Sequence, residues 1–213
     1  MKKLLIILCI AITSVILSGC ASTNSSEPAA MKAVQPLDFE KRKKMAVLPY
    51  DFKDKNVSYQ GLETGLVDLT INSFFETKRF LLIERSKLKE VIGELQYNAS
   101  GMVGNDNALK VGKHVGAKYV FAGVVTSINP LKEHKSLGIA TIDRKGFEVT
   151  LQGRIIDVEQ SVVIASATAK GKELQTKKMA MGAKTGSIAP DDTLIRMAFE
   201  KAVKVLVNDL ASQ

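Results

Sequence analysis

The feature that most constrains the fold is a pair of short apolar segments that flank one helical pattern. The first segment is Met45 to Tyr50, which turn-forming residues close, and the second is Arg79 to Glu84. Between them, residues 61 to 78 carry leucine and phenylalanine near helical spacing. A strand, a helix and a second strand in this order are typical of a βαβ unit, whose two strands run parallel. The sequence therefore predicts a parallel pair of buried strands.

Two short helices are predicted after this unit. Ser86 occupies an N-cap position before an apolar stripe with i, i+3, i+4, i+7 spacing. The stripe consists of Leu88, Val91, Ile92 and Leu95. We expect a third helix to follow a cap at Asp106 or Asn107 and to extend through Val115. Gly116 then fits the C′ position, where a left-handed backbone is wanted.

Three strand patterns and a long helix complete the prediction. The strands cover residues 118–128, 147–158 and 161–170, and the last two should form an antiparallel hairpin. Asp191 or Asp192 is a suitable cap for the final helix. One face of that helix carries Ile195, Phe199, Ala202, Leu206 and Leu210. The order βαβααβββα predicts an α/β, three-layer-like sandwich with a mixed β-sheet and helices packed on it.

The first residues of the chain have the pattern of an export signal. Two lysines precede an apolar stretch from Leu4 to Leu17, which is short for a transmembrane helix but typical of a signal peptide. The stretch ends in Leu-Ser-Gly-Cys, which resembles the bacterial lipobox. This resemblance implies a signal peptide of residues 1–19 and lipidation of Cys20. Residues 20–42 are rich in Ser, Ala, Pro and charge, and we expect a flexible tether there.

The composition narrows the classes of function. After cleavage Cys20 is the single cysteine, so neither a disulfide framework nor a cysteine zinc site is available. The alternative for Cys20 is a buried thiol or half of a disulfide, for which Cys9 inside the apolar stretch is the one possible partner. The net charge is +8, or +6 without Lys2 and Lys3. The lysines are scattered and aromatic residues are few, so we expect a solvated basic surface and no nucleic acid, with anionic polymer or lipid contact as an alternative.

Several segments, taken in order, resemble the CsgG family of bacterial envelope lipoproteins. They are "AVLPYDF", "RFLLIERSKLKEVIGELQYNASGMV", "VGKHVGAKYVFAGVVTSI", "LQGRIIDVEQSVVIASATAKG" and "AFEKAVKVLVNDL". The resemblance implies a periplasmic domain over residues 43–213 on a protein held at the outer membrane by lipid on Cys20. Ala21 supports the outer membrane, because Asp at that position would resemble an inner-membrane retention signal.

The same resemblance implies a function. We expect curli-type assembly or secretion of envelope or extracellular proteins through protein–protein contacts, without an enzyme activity, a cofactor or a small-molecule substrate. Two alternatives stay open, an oligomeric outer-membrane secretion channel and an activator of peptidoglycan synthases similar to LpoB. Whether the chain forms a homo-oligomer is left open with them.

The channel of this family builds membrane hairpins from two insertions, which correspond here to Asn129–Gly146 and Ala169–Pro190. In the first insertion, residues 132 to 135 are consecutively polar, and in the second the lysines fall on both strand parities. A lysine that faces lipid near the midplane costs about 2–4 kcal/mol. We therefore expect loops or short extended hairpins in both places, and the sequence leaves open whether they enter a membrane.

Enzyme-like and metal-like patterns are weak. Residues 86–89 form S-x-x-K and residues 184–186 form K-T-G, a pair known from serine β-lactamases, but the intervening S-x-N element is missing. Glu84 with Arg85 favours a surface charge pair over a catalytic one. His114 and His134 have no carboxylate or second histidine at ligand spacing. We predict no catalytic, cofactor-binding or metal-binding residue.

Overall fold

A mixed seven-stranded β-sheet lies at the centre of the fold, with helices on both of its faces. This computed structural model describes residues 33–53, 61–95 and 105–213. The predictions for the signal peptide, for Cys20 and for most of the tether lie outside these residues. So does most of the polar break that the sequence predicts between the second and third helices.

The element order confirms the predicted α/β sandwich and adds two short strands, β2 and β7. The elements are a 3-10 helix at Phe39–Lys41, β1 (Lys43–Val47), β2 (Asp51–Phe52), α1 (Leu62–Glu76), β3 (Phe80–Leu82), α2 (Arg85–Glu94), α3 (Asn105–His114), β4 (Tyr119–Leu137), β5 (Ala140–Asp157), β6 (Val162–Ala180), β7 (Ala183–Thr185) and α4 (Asp191–Ala211).

The sheet has the strand order β3-β1-β4-β5-β6-β7, and β2 pairs with β4 beyond the end of β1. β1 runs parallel to β3, with Lys43 opposite Phe80, which confirms the predicted βαβ unit. β1 is also parallel to β4, whereas β4, β5, β6 and β7 are joined as antiparallel neighbours. The prediction of a buried second strand is wrong in degree, because β3 is a half-buried edge strand.

Two hydrophobic cores lie on opposite faces of the sheet, because successive strand residues point to opposite sides. Met45 and Phe121 belong to the core under α1 and α4, whereas Ala46 and Val120 belong to the core under α2 and α3. The predicted apolar face of the last helix is confirmed by the burial of Ile195, Phe199, Ala202, Leu206 and Leu210. The predicted stripe of α2 is confirmed by the packing of Leu88, Val91, Ile92 and Leu95.

Helix α4 approaches β6 closely at a glycine. A Cβ atom on Gly171 would lie 2.0 Å from the carbonyl oxygen of Ala198 and 2.5 Å from the amide nitrogen of Ala202. The absence of a side chain at residue 171 therefore sets the distance between the helix and the strand. This contact seats α4 over the inner part of β6.

Strands β4, β5 and β6 are far longer than the sequence predicts. They contain 19, 18 and 19 residues. The insertions Asn129–Gly146 and Ala169–Pro190 were expected to be loops or short hairpins, yet most of their residues continue the core strands in unbroken register. The prediction failed because backbone pairing with a neighbouring strand does not require alternation of apolar side chains.

The predicted helix caps are wrong in position. Helix α2 begins at Arg85 with Glu84 as the N-cap, so Ser86 lies within its first turn. Helix α4 begins at Asp191 after Pro190. Its two aspartates, including Asp192, therefore lie in the first turn, where a carboxylate favours the positive end of the helix dipole.

The third helix also begins earlier than predicted. It spans Asn105–His114, so the predicted cap residues Asp106 and Asn107 are helical. Gly116 has a φ angle of 66°, which confirms the left-handed position expected after this helix.

Candidate functional site

The outer parts of β4, β5 and β6 form, with β7, an antiparallel ribbon, which we define as residues 129–148 and 172–185. Helix α4 begins beside it, where the Lys145 ammonium lies 2.5 Å from the Asp191 carboxylate. Beyond this contact, all side chains from residue 134 to residue 139 are exposed. The ribbon is thus held to the domain by continuous strands and reaches solvent at its far end.

Both faces of the ribbon carry charge. On one face the Nδ1 atom of His134 donates to the Asp143 carboxylate at 2.5 Å, across the β4–β5 pair. On the other face Glu133 accepts from Lys135 at 2.7 Å and from Arg144 at 3.0 Å. These two hydrogen bonds hold the pKa of the Glu133 carboxyl below its usual value. Neither face therefore has the continuous apolar surface that a lipid-facing strand needs.

The ribbon ends in two adjacent turns, which we call the ribbon tip. The β4–β5 turn contains Gly138 and Ile139, the β6–β7 turn contains Met181 and Gly182, and the Met181 amide donates to the Ile139 carbonyl at 3.3 Å. The exposed fractions at the tip are 71% for Leu137, 74% for Ile139 and 84% for Met181. Three large apolar side chains thus lie in solvent beside one another.

The conformation of Met181 is unusual for its residue type. Met181 and Gly182 have φ angles of 49° and 82°, the pattern of a hairpin turn that favours Asn-Gly. A left-handed backbone costs a residue with a Cβ atom roughly 1–2 kcal/mol. An exposed methionine therefore occupies a backbone position at which Asn or Gly is usual.

Basic residues surround the tip. The cationic belt, as we name it, contains Lys132, Lys135, Arg144, Lys145, Lys177, Lys178 and Lys184. With Lys172 the ribbon has eight basic residues against the four acidic residues Glu133, Asp143, Glu148 and Glu173, so it has an excess of four positive charges. The arrangement offers an apolar contact at the tip and an electrostatic contact with an acidic surface behind it.

The structure does not bring the enzyme-like motifs together. Ser86 lies in α2, next to the edge strand β3, whereas Lys184 and Thr185 lie in β7 at the opposite edge of the sheet. Arg85 pairs with the Asp68 carboxylate at 2.6 Å rather than with Glu84.

The two histidines also lie apart. His114 donates from Nδ1 to the Lys110 carbonyl at 2.9 Å on α3. Strand pairing brings the carboxylate of Asp143 to His134, a contact that spacing in the sequence does not indicate. Within the described part of the chain, no group of three His, Cys, Asp or Glu side chains is placed to hold a metal ion.

The ribbon tip is the part of the site that sequence reasoning missed. A signal for it was present in "SLGIA" and "AMGA", where a glycine-containing two-residue turn is flanked by residues that pair.

Among the described helices, none is long and apolar enough to cross a membrane.

The protein is an α/β sandwich with a mixed sheet, and the central strands of this sheet extend into a ribbon. The chain belongs to the CsgG family, because the family model described as curli production assembly/transport component CsgG matches residues 23–213. The resemblance in the sequence is thereby confirmed. The description of this family connects it with the assembly and transport of curli.

Solved structures show similar folds at low identity. Lipoprotein GNA1162 from Neisseria meningitidis has 14% identity and a TM-score of 0.47 over 73% of this chain and 91% of that chain. The LpoB C-terminal domain from Salmonella enterica has 15% and 0.43 over 60% and 81%. A PelC dodecamer from Paraburkholderia phytofirmans has 13% and 0.41 over 82% and 95%. No curated protein matches the chain significantly.

Proposed function

We propose that the protein is anchored at the outer membrane by lipid on Cys20 and faces the periplasm. It acts there in the assembly or secretion of envelope or extracellular proteins. Its ribbon tip makes the protein–protein contact, and no catalytic step, cofactor or small-molecule substrate is involved. The observation that carries this proposal is the exposure of Leu137, Ile139 and Met181 side by side at the end of a strand-built support.

The energetics favour a contact at this place. Burial of a large apolar side chain stabilises a complex by about 1.5–3 kcal/mol before the costs of association. Contiguous exposed apolar side chains with a polar surround mark interaction sites on proteins. The cationic belt adds electrostatic steering toward an acidic partner, and this contribution weakens as salt is raised.

Site-specific photo-crosslinking in intact cells tests the proposal. A photoreactive residue is placed at Ile139, and the matched control carries it at Lys113, an exposed position on α3. We expect discrete adducts with envelope or secreted proteins from residue 139 and none of the same adducts from residue 113. Adducts with lipid alone from residue 139 would contradict the protein–protein contact.

A secretion channel is the second candidate function. The observation that favours it is that both insertions are strands, joined in one ribbon. Charge on both faces of the ribbon speaks against a lipid-spanning position. A Cys20→Ala variant that keeps its export signal separates the two candidates. We expect a soluble product without rings, whereas rings that conduct ions in planar bilayers would establish the channel.

A further inference from the structure

One long edge of the sheet is open. β6 pairs with β5 along its whole length, but β7 covers only residues 178–180 on the other side. Among the described residues no strand lies against the outer edge of β6 between Val162 and Lys177. An unpaired edge presents backbone N–H and C=O groups that are available to an added strand.

Two side chains form hydrogen bonds with backbone groups on the outer edge of β6. The Gln213 amide accepts from the Ser166 N–H at 3.3 Å and donates to the Ser166 carbonyl at 3.1 Å. The Lys201 ammonium donates to the Lys172 carbonyl at 3.2 Å. The outer edge of β6 therefore takes up partners at residues 166 and 172.

Between these two contacts no residue in the described part of the chain bonds to the outward backbone groups of the edge. The backbone N–H and C=O groups of alternate residues point to the same edge of an antiparallel strand. Those of Thr168 and Lys170 therefore point to the outer edge, as those of Ser166 and Lys172 do. The same parity leads to Lys178 and Ala180, which pair with β7. The interval from residue 166 to residue 172 is about 20 Å long, since an antiparallel strand rises ~3.4 Å per residue. This interval has the length of a short peptide strand.

The charge beside the open interval is positive. The side chains of Lys170 and Lys172 are exposed and share one face of the sheet. Neither lysine is in an ion pair among the described residues, although Glu148 lies opposite Lys172 in the register. Lys201, by contrast, is held by the buried carboxylate of Glu173 at 2.6 Å. The interval is therefore flanked by two lysines that remain to be neutralised.

We infer that the edge of β6 from Ser166 to Lys172 binds an acidic, extended peptide segment of a partner protein by strand addition. Thr168 and Lys170 supply main-chain hydrogen bonds, and the lysine side chains select glutamate or aspartate at alternate positions of the peptide. The same lysines repel the β6 edge of a second copy, so the edge excludes self-pairing. This site is separate from the ribbon tip.

A fluorescence anisotropy titration tests the inference. The probe is a labelled short peptide in which glutamate alternates with valine, and lysine replaces glutamate in the comparison peptide. We expect the acidic peptide to bind and the basic peptide to bind at least roughly tenfold more weakly. Equal binding of the two peptides would overturn the inference.

Two variants locate the site. Thr168→Pro removes the outward N–H without removing a bond to β5, and we expect it to abolish peptide binding. Lys170→Glu with Lys172→Glu should weaken binding roughly tenfold or more. The control, Lys110→Glu with Lys113→Glu on α3, makes the same charge change elsewhere and should leave binding unchanged. Equal weakening by the control would show unspecific charge attraction and overturn the inference.

Two readouts keep the test decisive. If Thr168→Pro fails to fold, amide exchange on the natural chain replaces it, and the peptide should protect the amides of Thr168 and Lys170. Unprotected amides in a saturated complex would overturn the inference.

Sedimentation measures self-pairing: a dimer that the Lys170→Glu, Lys172→Glu variant dissociates would assign the edge to a second copy instead. Substitutions at the ribbon tip should not change peptide binding, which separates this test from that of the proposed function.

Discussion

The strands β4, β5 and β6 pass through two regions, the inner sheet and the ribbon. The two regions share continuous backbone pairing but differ in burial and in charge. In the inner region one face of all three strands packs into the core under α1 and α4, and Phe121, Leu151 and Ile155 are buried there. In the ribbon both faces carry ions, and three large apolar residues lie at the exposed end. Strand pairing continues across both regions without interruption in β5 and β6 outside one bulge.

The inner region of the sheet stabilises the fold, whereas the partner contact that we propose lies at the ribbon tip. The inner region removes apolar area from water, which is the main favourable contribution to folding. The ribbon buries little and depends on the inner region to hold its strands in register. Substitutions in the inner region should therefore lower stability. Substitutions at the ribbon tip should weaken partner binding and leave stability unchanged.

The largest expected effect comes from a core aromatic residue. Phe199→Ala removes a buried ring from the interface of α4 with the sheet and should lower the free energy of unfolding by about 3–5 kcal/mol. Urea denaturation measures this. The matched change Ile139→Ala at the ribbon tip should leave the urea midpoint unchanged. A similar loss from both variants would contradict the division between the two regions.

A smaller loss is expected where α4 meets β6. Gly171→Ala places a Cβ atom against the backbone of α4, and the overpacking should cost about 1–3 kcal/mol. Thermal denaturation followed by circular dichroism measures the change. The control is Gly65→Ala in α1, where a Cβ atom meets nothing within 4 Å. That variant should be more stable by about 0.5–1 kcal/mol, because alanine favours the helix. An unchanged melting temperature for Gly171→Ala would refute the close approach.

A pH-dependent contribution is expected at the β5–β6 turn. Burial by itself raises the pKa of Asp157, but N–H groups of Gln160 and Glu159 and the Lys118 ammonium outweigh it, so the pKa lies below its usual value. A lowered folded-state pKa stabilises the fold above the unfolded value of about 4. This stabilisation is lost as the pH falls through the folded-state pKa.

Asp157→Asn tests that contribution by urea titration at a series of pH values. The variant should be less stable than the natural chain at neutral pH, and the difference should shrink in acid. Glu159→Gln changes the exposed second partner of Lys118 and should give a smaller difference. A difference for Asp157→Asn that is constant with pH would show that the carboxylate charge plays no part.

The smallest effect is expected within the ribbon. Glu133→Gln removes the negative charge of two exposed ion pairs, and such pairs contribute little because water and salt screen them. Thermal melts of the variant and the natural chain should coincide at physiological salt. A clear drop in melting temperature would show that the ribbon stabilises the domain, contrary to the comparison.

Apolar periodicity made the inner region predictable. The βαβ unit, the stripe beginning at Leu88 and the buried face of α4 all follow from residues that must avoid water. The ribbon could not be predicted in the same way, because consecutive polar residues such as those at 132–135 hide a strand that backbone bonds define. The His134–Asp143 contact depends on strand register and has no local sequence signal. Caps at Ser86 and Asp191 failed because other residues occupy the boundary.

The most direct test of the central claim combines a triple substitution with the crosslinking assay. Leu137→Ser, Ile139→Ser and Met181→Ser are made together, and the photoreactive residue is moved to Met179, an exposed β6 residue next to the tip. We predict an unfolding free energy within about 0.5 kcal/mol of the natural chain, as for surface changes in general. The protein adducts obtained from Met179 in the natural tip should be lost. Adducts that persist at full yield in a folded triple variant would contradict the claim that the ribbon tip makes the contact.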